Sequence, residues 1–344
     1  MKLSEFDFTL PEQLIAQRPL PERDQARMMV VHKETGDREH RLFRELPEIL
    51  QPRHCLVLNN TKVIPARIIG HRVGRTEEIE ILLAREETPG RWIALLKPAR
   101  KAPPGAELML GNLQATVLEA RADGSRVLGF AAHENVIQTM EALGTTPLPP
   151  YIRRQREDSF EDRTRYQTVY ARHPGSIAAP TAGLHFTPEV LHGLERRGVP
   201  IGEILLHVGY GTFQPVRCEQ IEDHRMEPEY FEVTQEVARR IRGWKSEARR
   251  IVAVGTTSTR VLEHLAQNGD FPAQGSSGMC SLFIYPGYEF RVVDGLLTNF
   301  HLPRSTLLML VSAFLGRDLI LECYREAISE RYRFFSYGDC MLIL

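Results

Sequence analysis

Lysine is scarce in this chain: six of its 43 basic residues are lysine and the rest arginine. Genome composition explains such a bias most simply, although arginine's planar fork also suits phosphates and base stacking. Cysteine is scarce as well. Cys55, Cys218, Cys280, Cys323 and Cys340 are scattered, odd in number and form no C-x-x-C pair. That pattern argues against a disulfide frame and a zinc site and fits a reducing compartment. Long apolar runs are missing. The longest, Leu307 to Leu315, is interrupted by Ser312 and too short to span a bilayer. The first residues hold no apolar signal core, so the expectation is a soluble cytoplasmic protein with no membrane partner. Net charge is nearly absent at -1, so any nucleic-acid contact must come from a local patch. Motif by motif, Gly209-Tyr-Gly-Thr-Phe-Gln lacks the third glycine of a dinucleotide fingerprint, and no Walker loop or G-x-S-x-G elbow occurs. The twelve histidines show no H-E-x-x-H spacing, and no metal site is expected.

What is present is the composition of an ordinary globular protein, 42% hydrophobic and 25% charged over 344 residues, enough for about two domains. Strand signals fall at 27–31 and 55–59, followed by short strands at 67–73, 78–84, 91–97, 107–110, 114–118 and 125–130. Alternation is clearest in Glu78-Ile-Glu-Ile-Leu-Leu83, and Gly74, Gly90, Gly105 and Gly124 punctuate the turns. Evenly spaced short strands with glycine turns predict a small barrel or sandwich, closed by a helix over 134–143. Pro147, Pro149 and Pro150 mark a boundary, after which helix and strand alternate. Helices are expected at 188–197, 234–250, 258–267, 305–315 and 317–331, and strands at 201–208, 250–254, 282–285, 290–298 and 335–344. Alternation of this kind predicts an α/β layer domain. The expected architecture is an α/β main domain, residues 1–66 and 151–344, with an inserted small all-β barrel domain at 67–150.

The chain centres on Gly175-Ser-Ile-Ala-Ala-Pro-Thr-Ala-Gly-Leu-His-Phe-Thr187, a loop of small residues leading into a helix start at Thr187-Pro188-Glu189. Read alone it is either a packed turn or a shaped loop presenting Ser176, Thr181, Gly183 and His185 at a helix N-terminus. Leu206-His207-Val208-Gly209-Tyr210-Gly211 leaves a strand end, where ligands sit in open α/β sheets; a plain glycine turn reads about as well. Gly255-Thr256-Thr257-Ser258-Thr-Arg260 opens a helix and is either an anion site or simple capping. The loop at 298–306 gathers Asn299, His301 and Arg304 before another capped helix. The loop at 223–230 adds His224 and Glu229, and Tyr337-Gly-Asp339 adds a further acid. Together these loops predict the rim of one pocket. Between Tyr151 and His173, the arginines Arg153, Arg154, Arg156, Arg163, Arg165 and Arg172 interleave with Phe160, Tyr166 and Tyr170. This is either a single-stranded nucleic-acid segment or, given Glu157, Asp158, Glu161 and Asp162, a self-paired surface.

Six blocks carry a family resemblance: Asn59-Asn-Thr-Lys62-Val-Ile-Pro-Ala-Arg67, the Gly175–Thr187 loop, His207-Val-Gly-Tyr-Gly-Thr-Phe213, Val254-Gly-Thr-Thr-Ser-Thr-Arg260, Thr298-Asn-Phe-His-Leu-Pro-Arg-Ser-Thr306 and Tyr337-Gly-Asp339. Collinear over essentially the whole chain, they resemble the signature blocks of the S-adenosylmethionine:tRNA ribosyltransferase-isomerase family of queuosine biosynthesis. One departure is visible, Glu227-Pro228 where many members have histidine and serine. The resemblance implies transfer of the ribosyl part of S-adenosylmethionine to 7-aminomethyl-7-deazaguanine at the wobble position of a tRNA with a GUN anticodon (Asp, Asn, His and Tyr acceptors). Epoxyqueuosine-tRNA, adenine and methionine result. It further implies no cofactor beyond S-adenosylmethionine as cosubstrate and no metal; a monomer is expected.

The sulfonium acidifies its C5′ protons, and adenine leaves well only when protonated, so a base and an acid are needed. The candidates are His185, His207, His224, His301, Glu229 and Asp339. Of these, His185, beside a helix N-terminus that disfavours its charged form, is the expected base or else a loop-shaping residue. Substrate binding is expected of Ser176, Thr181, Gly183, Gly209, Tyr210, Gly211, Thr256, Thr257, Ser258, Arg260, Asn299, Arg304 and Tyr337. Contact with tRNA is expected of Arg153, Arg154, Arg165, Lys62 and Arg67. Two readings compete with this enzyme, a non-catalytic tRNA-binding protein and an ordinary methyltransferase, the latter weakened by the missing glycine-rich nucleotide loop.

Overall fold

The computed structural model describes residues 1–131, 135–153, 159–213 and 216–344. The N-terminal part supplies β1 (Arg27–Val31), β2 (Arg38–Leu42), the short α1 (Leu46–Ile49), β3 (His54–Asn59) and β4 (Thr61–Val63). β3 is buried at every position, the pattern of a strand covered on both faces. Then follow β5 (Arg67–Arg72), β6 (Glu78–Thr88), β7 (Arg91–Lys97), β8 (Glu107–Leu110), β9 (Leu113–Ala120) and β10 (Arg126–Phe130). All pair antiparallel and close into a barrel in the order β10-β7-β6-β5-β8-β9. Ile79, Ile81 and Leu83 alternate inward with Leu108, Leu110, Ala115 and Val117, so the barrel owns a core. A Cβ on Gly70 would lie 2.6 Å from the Met109 carbonyl oxygen, which is why the β5–β8 seam needs glycine there.

After the barrel come α2 (Val136–Leu143), α3 (Ser159–Arg165), β11 (His173–Ser176), α4 (Pro188–Arg196), β12 (Ile201–Leu206), β13 (Glu229–Val233), α5 (Gln235–Ser246), β14 (Arg250–Val254) and α6 (Gly255–Leu265). β15 (Ser276–Cys280), β16 (Gly295–Asn299), α7 (Thr306–Leu315), α8 (Arg317–Ser329) and β17 (Cys340–Ile343) complete the chain. Nine strands form one mixed sheet in the order β15-β13-β12-β3-β14-β16-β17-β1-β2, with β12, β3, β14 and β16 parallel at its centre. Alternate residues of these strands divide between two cores. Val57, Ile204, Ala253 and Leu296 pack under α5 to α8, whereas Leu56, Leu58, Val252 and Leu297 pack under α1 and α4. The α/β domain with an inserted all-β barrel is therefore the observed fold. Among the described residues no helix is long and apolar enough to cross a membrane.

Several expected boundaries move. The helix expected at 234–250 ends at Ser246, before the left-handed Ala248 (φ 53), with Thr234 as its capping residue. The helix expected from 258 begins at Gly255, directly on the strand end. Residues 282–285 form no strand; the edge strand is β15, whose Ser/Gly-rich sequence carries no apolar alternation. Where strands were expected at 290–298 and 335–344, the observed ones are the shorter Gly295–Asn299 and Cys340–Ile343. Glu134, the expected start of the helix after the barrel, lies outside the described residues, and that helix runs from Val136 to Leu143 with Asn135 capping it.

Candidate active site

Four parallel strands end on the same side of the sheet: β3 at Asn59, β12 at Leu206, β14 at Val254 and β16 at Asn299. The chain goes from β3 to β12 on one side and then crosses to β14 on the other. The crevice outside these carboxyl ends is thus a topological switch point. A cavity of about 500 Å³ lies there. Tyr151, Tyr166 and Phe335 form an aromatic wall, with the Tyr151 and Phe335 rings tilted at 37° and 4.3 Å between centroids. Ala178, Ala179, Pro180, Thr181 and Ala182 of the small-residue loop line it, as do Thr256, Thr257, Arg260, Glu229, Asn299, His301 and Arg304. Arg304 (φ 58) and Phe335 (φ 73) are two of the four non-glycine residues with left-handed backbone among those described, strain concentrated at the site.

Inside the cavity wall, buried Glu229 accepts hydrogen bonds from Arg260 Nη1 and, at 2.8 Å, from the Gly209 N–H. Arg260 also donates from Nε to the Leu282 carbonyl at 2.9 Å and from Nη2 to the Cys280 carbonyl at 3.2 Å. Three of its five N–H donors are thus given to the protein, and Arg260, expected to bind substrate, stays part of the cavity lining. The anion-binding feature that remains is the start of α6. Val254 provides no side-chain cap, so the N–H groups of the first turn, with Thr256 and Thr257, border the cavity. Ser258 points away into the core, fully buried and not in the cavity lining. Arg304 pairs with Asp7 near the cavity rim.

The six candidate proton-transfer residues separate clearly. His301 lines the cavity, its Nε2 lies 2.8 Å from Thr298 Oγ1, and burial pushes its pKa down to about 3, so it is neutral. His185 does not line that cavity. It sits behind Asn299, with Nε2 3.2 Å from Asn299 Nδ2, beside a second cavity of about 20 Å³, against Phe43. Its pKa is also held down to about 3, first by burial, then by Arg333 and Arg23. Burial rather than the helix N-terminus is the main cause of its neutrality. His207 is anchored by Thr61 Oγ1 at 2.8 Å, stacks on Tyr230 and packs over Gly175, outside the cavity lining. Burial, then His173, takes its pKa to about 4. His224 is half-buried, edge-on to Phe283, and also outside the lining. Asp339 accepts the N–H groups of Arg27 and Arg333 and ties β1 to the last loop, while burial raises its pKa. His185, His207, His224 and Asp339 are therefore displaced as cavity groups.

A family model for "Queuosine biosynthesis protein" matches residues 3–343. The chain belongs to that family. It is 51% identical over 347 residues to the S-adenosylmethionine:tRNA ribosyltransferase-isomerase of Desulfitobacterium hafniense, and 50% identical over 346 residues to that of Thermotoga petrophila, with 100% of both chains covered in each case. The crystal structure of S-adenosylmethionine tRNA ribosyltransferase from Thermotoga maritima matches 99% of this chain and 100% of its own, at 42% identity and a TM-score of 0.57.

The family blocks converge unequally on the cavity. Ser176 Oγ donates to the Ala178 carbonyl and accepts the Val208 N–H, shaping the loop from beneath. Gly183 makes room for Tyr170, whose hydroxyl would stand 2.0 Å from an added Cβ. Gly209 orients Glu229, Tyr210 donates to Asp123 of the barrel at 2.7 Å, and Gly211 lies against Glu227. Tyr337 donates to Asp162 at 3.0 Å, in the core. These residues, expected to bind substrate, hold in place the loops that border the cavity.

The arginine segment also divides. Arg165 donates to the Leu20 and Pro21 carbonyls and exposed Arg163 to the Glu141 carbonyl, while Tyr166 and Tyr170 are buried and offer no stacking face to RNA. Arg67 donates to the Leu148 carbonyl and pairs with Glu80. Lys62 is exposed, and Arg153 is exposed with Glu12 2.9 Å away. Arg154, Arg156, Glu157 and Asp158 lie outside the described residues. The aromatic wall itself escaped sequence reasoning. Tyr151 and Tyr166 read as part of the arginine segment, and Phe335, far along the chain, as the start of a strand.

Proposed function

We propose that this chain transfers and isomerises the ribosyl moiety of S-adenosylmethionine onto 7-aminomethyl-7-deazaguanine at the tRNA wobble position, giving epoxyqueuosine-tRNA, adenine and methionine. Family membership and full-length relatives of about 50% identity named for this reaction support the reading. The observation that carries it in the structure is the cavity, about 500 Å³ at the switch point, aromatic on one wall and bordered by an uncapped helix start. That combination suits a nucleoside with a carboxylate tail. Adenine stacks against the Tyr151–Phe335 wall, and the methionine carboxylate meets the first turn of α6 through its N–H groups, Thr256 and Thr257.

The reaction needs little else. The sulfonium is both the leaving group and the acidifier of C5′, so S-adenosylmethionine is a cosubstrate and no cofactor or metal is asked for. The tRNA substrates are those with a GUN anticodon, for Asp, Asn, His and Tyr, acted on by a monomer in the cytoplasm. Residues 67–150 form the inserted barrel domain, and exposed Lys62 and Arg153 supply phosphate contacts. Incubation of the protein with S-adenosylmethionine and precursor tRNA releases adenine and methionine in equal amounts. Release of S-adenosylhomocysteine instead, or tRNA binding without either product, refutes the reading.

A further inference from the structure

The family reaction needs a group that takes a proton from C5′, and six residues of suitable chemistry occur in the site blocks. Geometry leaves one. Glu229 is engaged by Arg260 and Gly209. Asp339 is engaged by two backbone N–H groups, and His185, His207 and His224 lie outside the cavity lining. His301 lines the cavity, and only one of its ring nitrogens, Nε2, has a partner, Thr298 Oγ1 at 2.8 Å. The other, Nδ1, has no hydrogen-bond partner among the described residues, and the ring belongs to the cavity lining. The ring is held from two sides. Thr298, itself buried, bonds Nε2, and the Tyr324 hydroxyl accepts the His301 backbone N–H at 2.9 Å. An imidazole fixed through one nitrogen with the other facing the reacting space is the arrangement general base catalysis requires.

We infer that His301 Nδ1 is the base that removes the C5′ proton of S-adenosylmethionine, with Thr298 as its positioning residue. This rests on the functional reading above. The C5′–H bond breaks, its electron pair stays on C5′ beside the sulfonium, and the proton goes to Nδ1. Thr298 Oγ1 accepts the Nε2–H throughout, which keeps Nδ1 free to receive it. The C5′ pair then forms a C4′–C5′ double bond as the C4′–O4′ bond breaks. The freed O4′ pair closes a carbonyl onto C1′, and the bond from C1′ to adenine breaks with its electron pair leaving on adenine. The imidazolium returns the proton to that base, and adenine departs neutral. The C5′ hydrogen thus ends in an exchangeable N–H and then in water.

The test uses the full chain with precursor tRNA and S-adenosylmethionine carrying tritium at C5′, following tritium release to water together with adenine formation. His301→Ala lowers tritium release about 10²-fold or more while S-adenosylmethionine binding, measured separately, stays within a few-fold of wild type. Added imidazole restores part of the rate, which a merely structural role for His301 does not allow. Thr298→Val lowers kcat with KM little changed, and Thr298→Ser recovers it. Should His301→Ala fail to fold or bind, His301→Gln, which keeps a partner for Thr298, is read by the same tritium release. Release within about fivefold of wild type in a variant that binds S-adenosylmethionine overturns the assignment, as does a loss of rate that imidazole leaves untouched while Thr298→Val behaves as wild type. If the wild-type protein forms no adenine and methionine, the functional reading itself falls, and this inference with it.

Discussion

Arg260, in the second turn of α6, donates to the carboxylate of Glu229 at the start of β13, and both side chains are at least nine-tenths buried. The pair joins the uncapped end of α6 to the Gly209 turn, so it sets the spacing of two cavity walls. Removing one partner leaves the other charge buried and unpaired. Glu229→Gln or Arg260→Met is expected to cost about 3–5 kcal/mol in urea unfolding, and the double replacement by apolar residues less than the sum of the two. Additive losses would show that the two side chains do not act as a pair.

Gly183 gives a second expectation. A Cβ there would stand 2.0 Å from the Tyr170 hydroxyl and 2.9 Å from Thr168 Cγ2, and that hydroxyl is buried with no hydrogen-bond partner. Gly183→Ala should destabilise by about 1–3 kcal/mol through overpacking and weaken S-adenosylmethionine binding, since Thr181 and Ala182 line the cavity. Tyr170→Phe in the same chain should recover part of both losses. No recovery would place the strain elsewhere in the loop.

The buried histidines predict the acid limb of stability. His185 and His301 are held down to about 3 and His207 to about 4, against 6.5 when unfolded. Between those values the unfolded chain binds more protons than the folded one. Each histidine's stabilising contribution is thus complete above pH 6.5 and is lost progressively as pH falls toward 3 or 4. The slope is up to about 1.4 kcal/mol per pH unit for each. His207→Gln should flatten the plot of unfolding free energy against pH between 6.5 and 4 relative to wild type. Parallel plots for the two proteins would contradict the burial of His207.

Salt dependence separates the arginines. Replacing exposed Lys62 and Arg153 together should reduce the slope of log affinity for tRNA against log salt by about one to two. Arg165→Ala should leave the slope unchanged and lower the melting temperature, because its guanidinium holds the Leu20 and Pro21 carbonyls. A reversal of these two effects would move the tRNA surface onto α3.

The barrel was legible because each strand pays its own way in pattern: Ile79, Ile81 and Leu83 point inward and the turns carry glycine. Helix starts at Thr187, Thr234 and Ser305 were legible because a capping hydroxyl acts within three residues of itself. β2 was not, since Arg38-Glu-His-Arg-Leu42 is a polar edge strand with little buried alternation. Nor were β13 and β15, since β15 lies at the sheet edge and its pairing with β13 joins Ser276–Cys280 to Glu229–Val233, segments well apart in the chain. The loops of the site were found, and Thr181, Glu229, Thr256, Thr257, Arg260, Asn299, His301 and Arg304 line the cavity as expected, but which of the other expected side chains turn away from it was not legible. Asn299 stands between His185 and the cavity, and Arg260 gives three of its donors to Glu229, Leu282 and Cys280. Side-chain direction at such positions depends on segments outside the local sequence, 31 residues away for Arg260 and Glu229 and 114 for His185 and Asn299.

The most direct measurement follows the ribosyl carbons. S-adenosylmethionine labelled with ¹⁴C in its ribose is incubated with the protein and precursor tRNA, and the tRNA is digested to nucleosides. The label should appear in the modified wobble nucleoside, one equivalent for each adenine and each methionine released. Label that stays in the small-molecule fraction while the tRNA is bound, or that leaves as S-adenosylhomocysteine, would contradict the account.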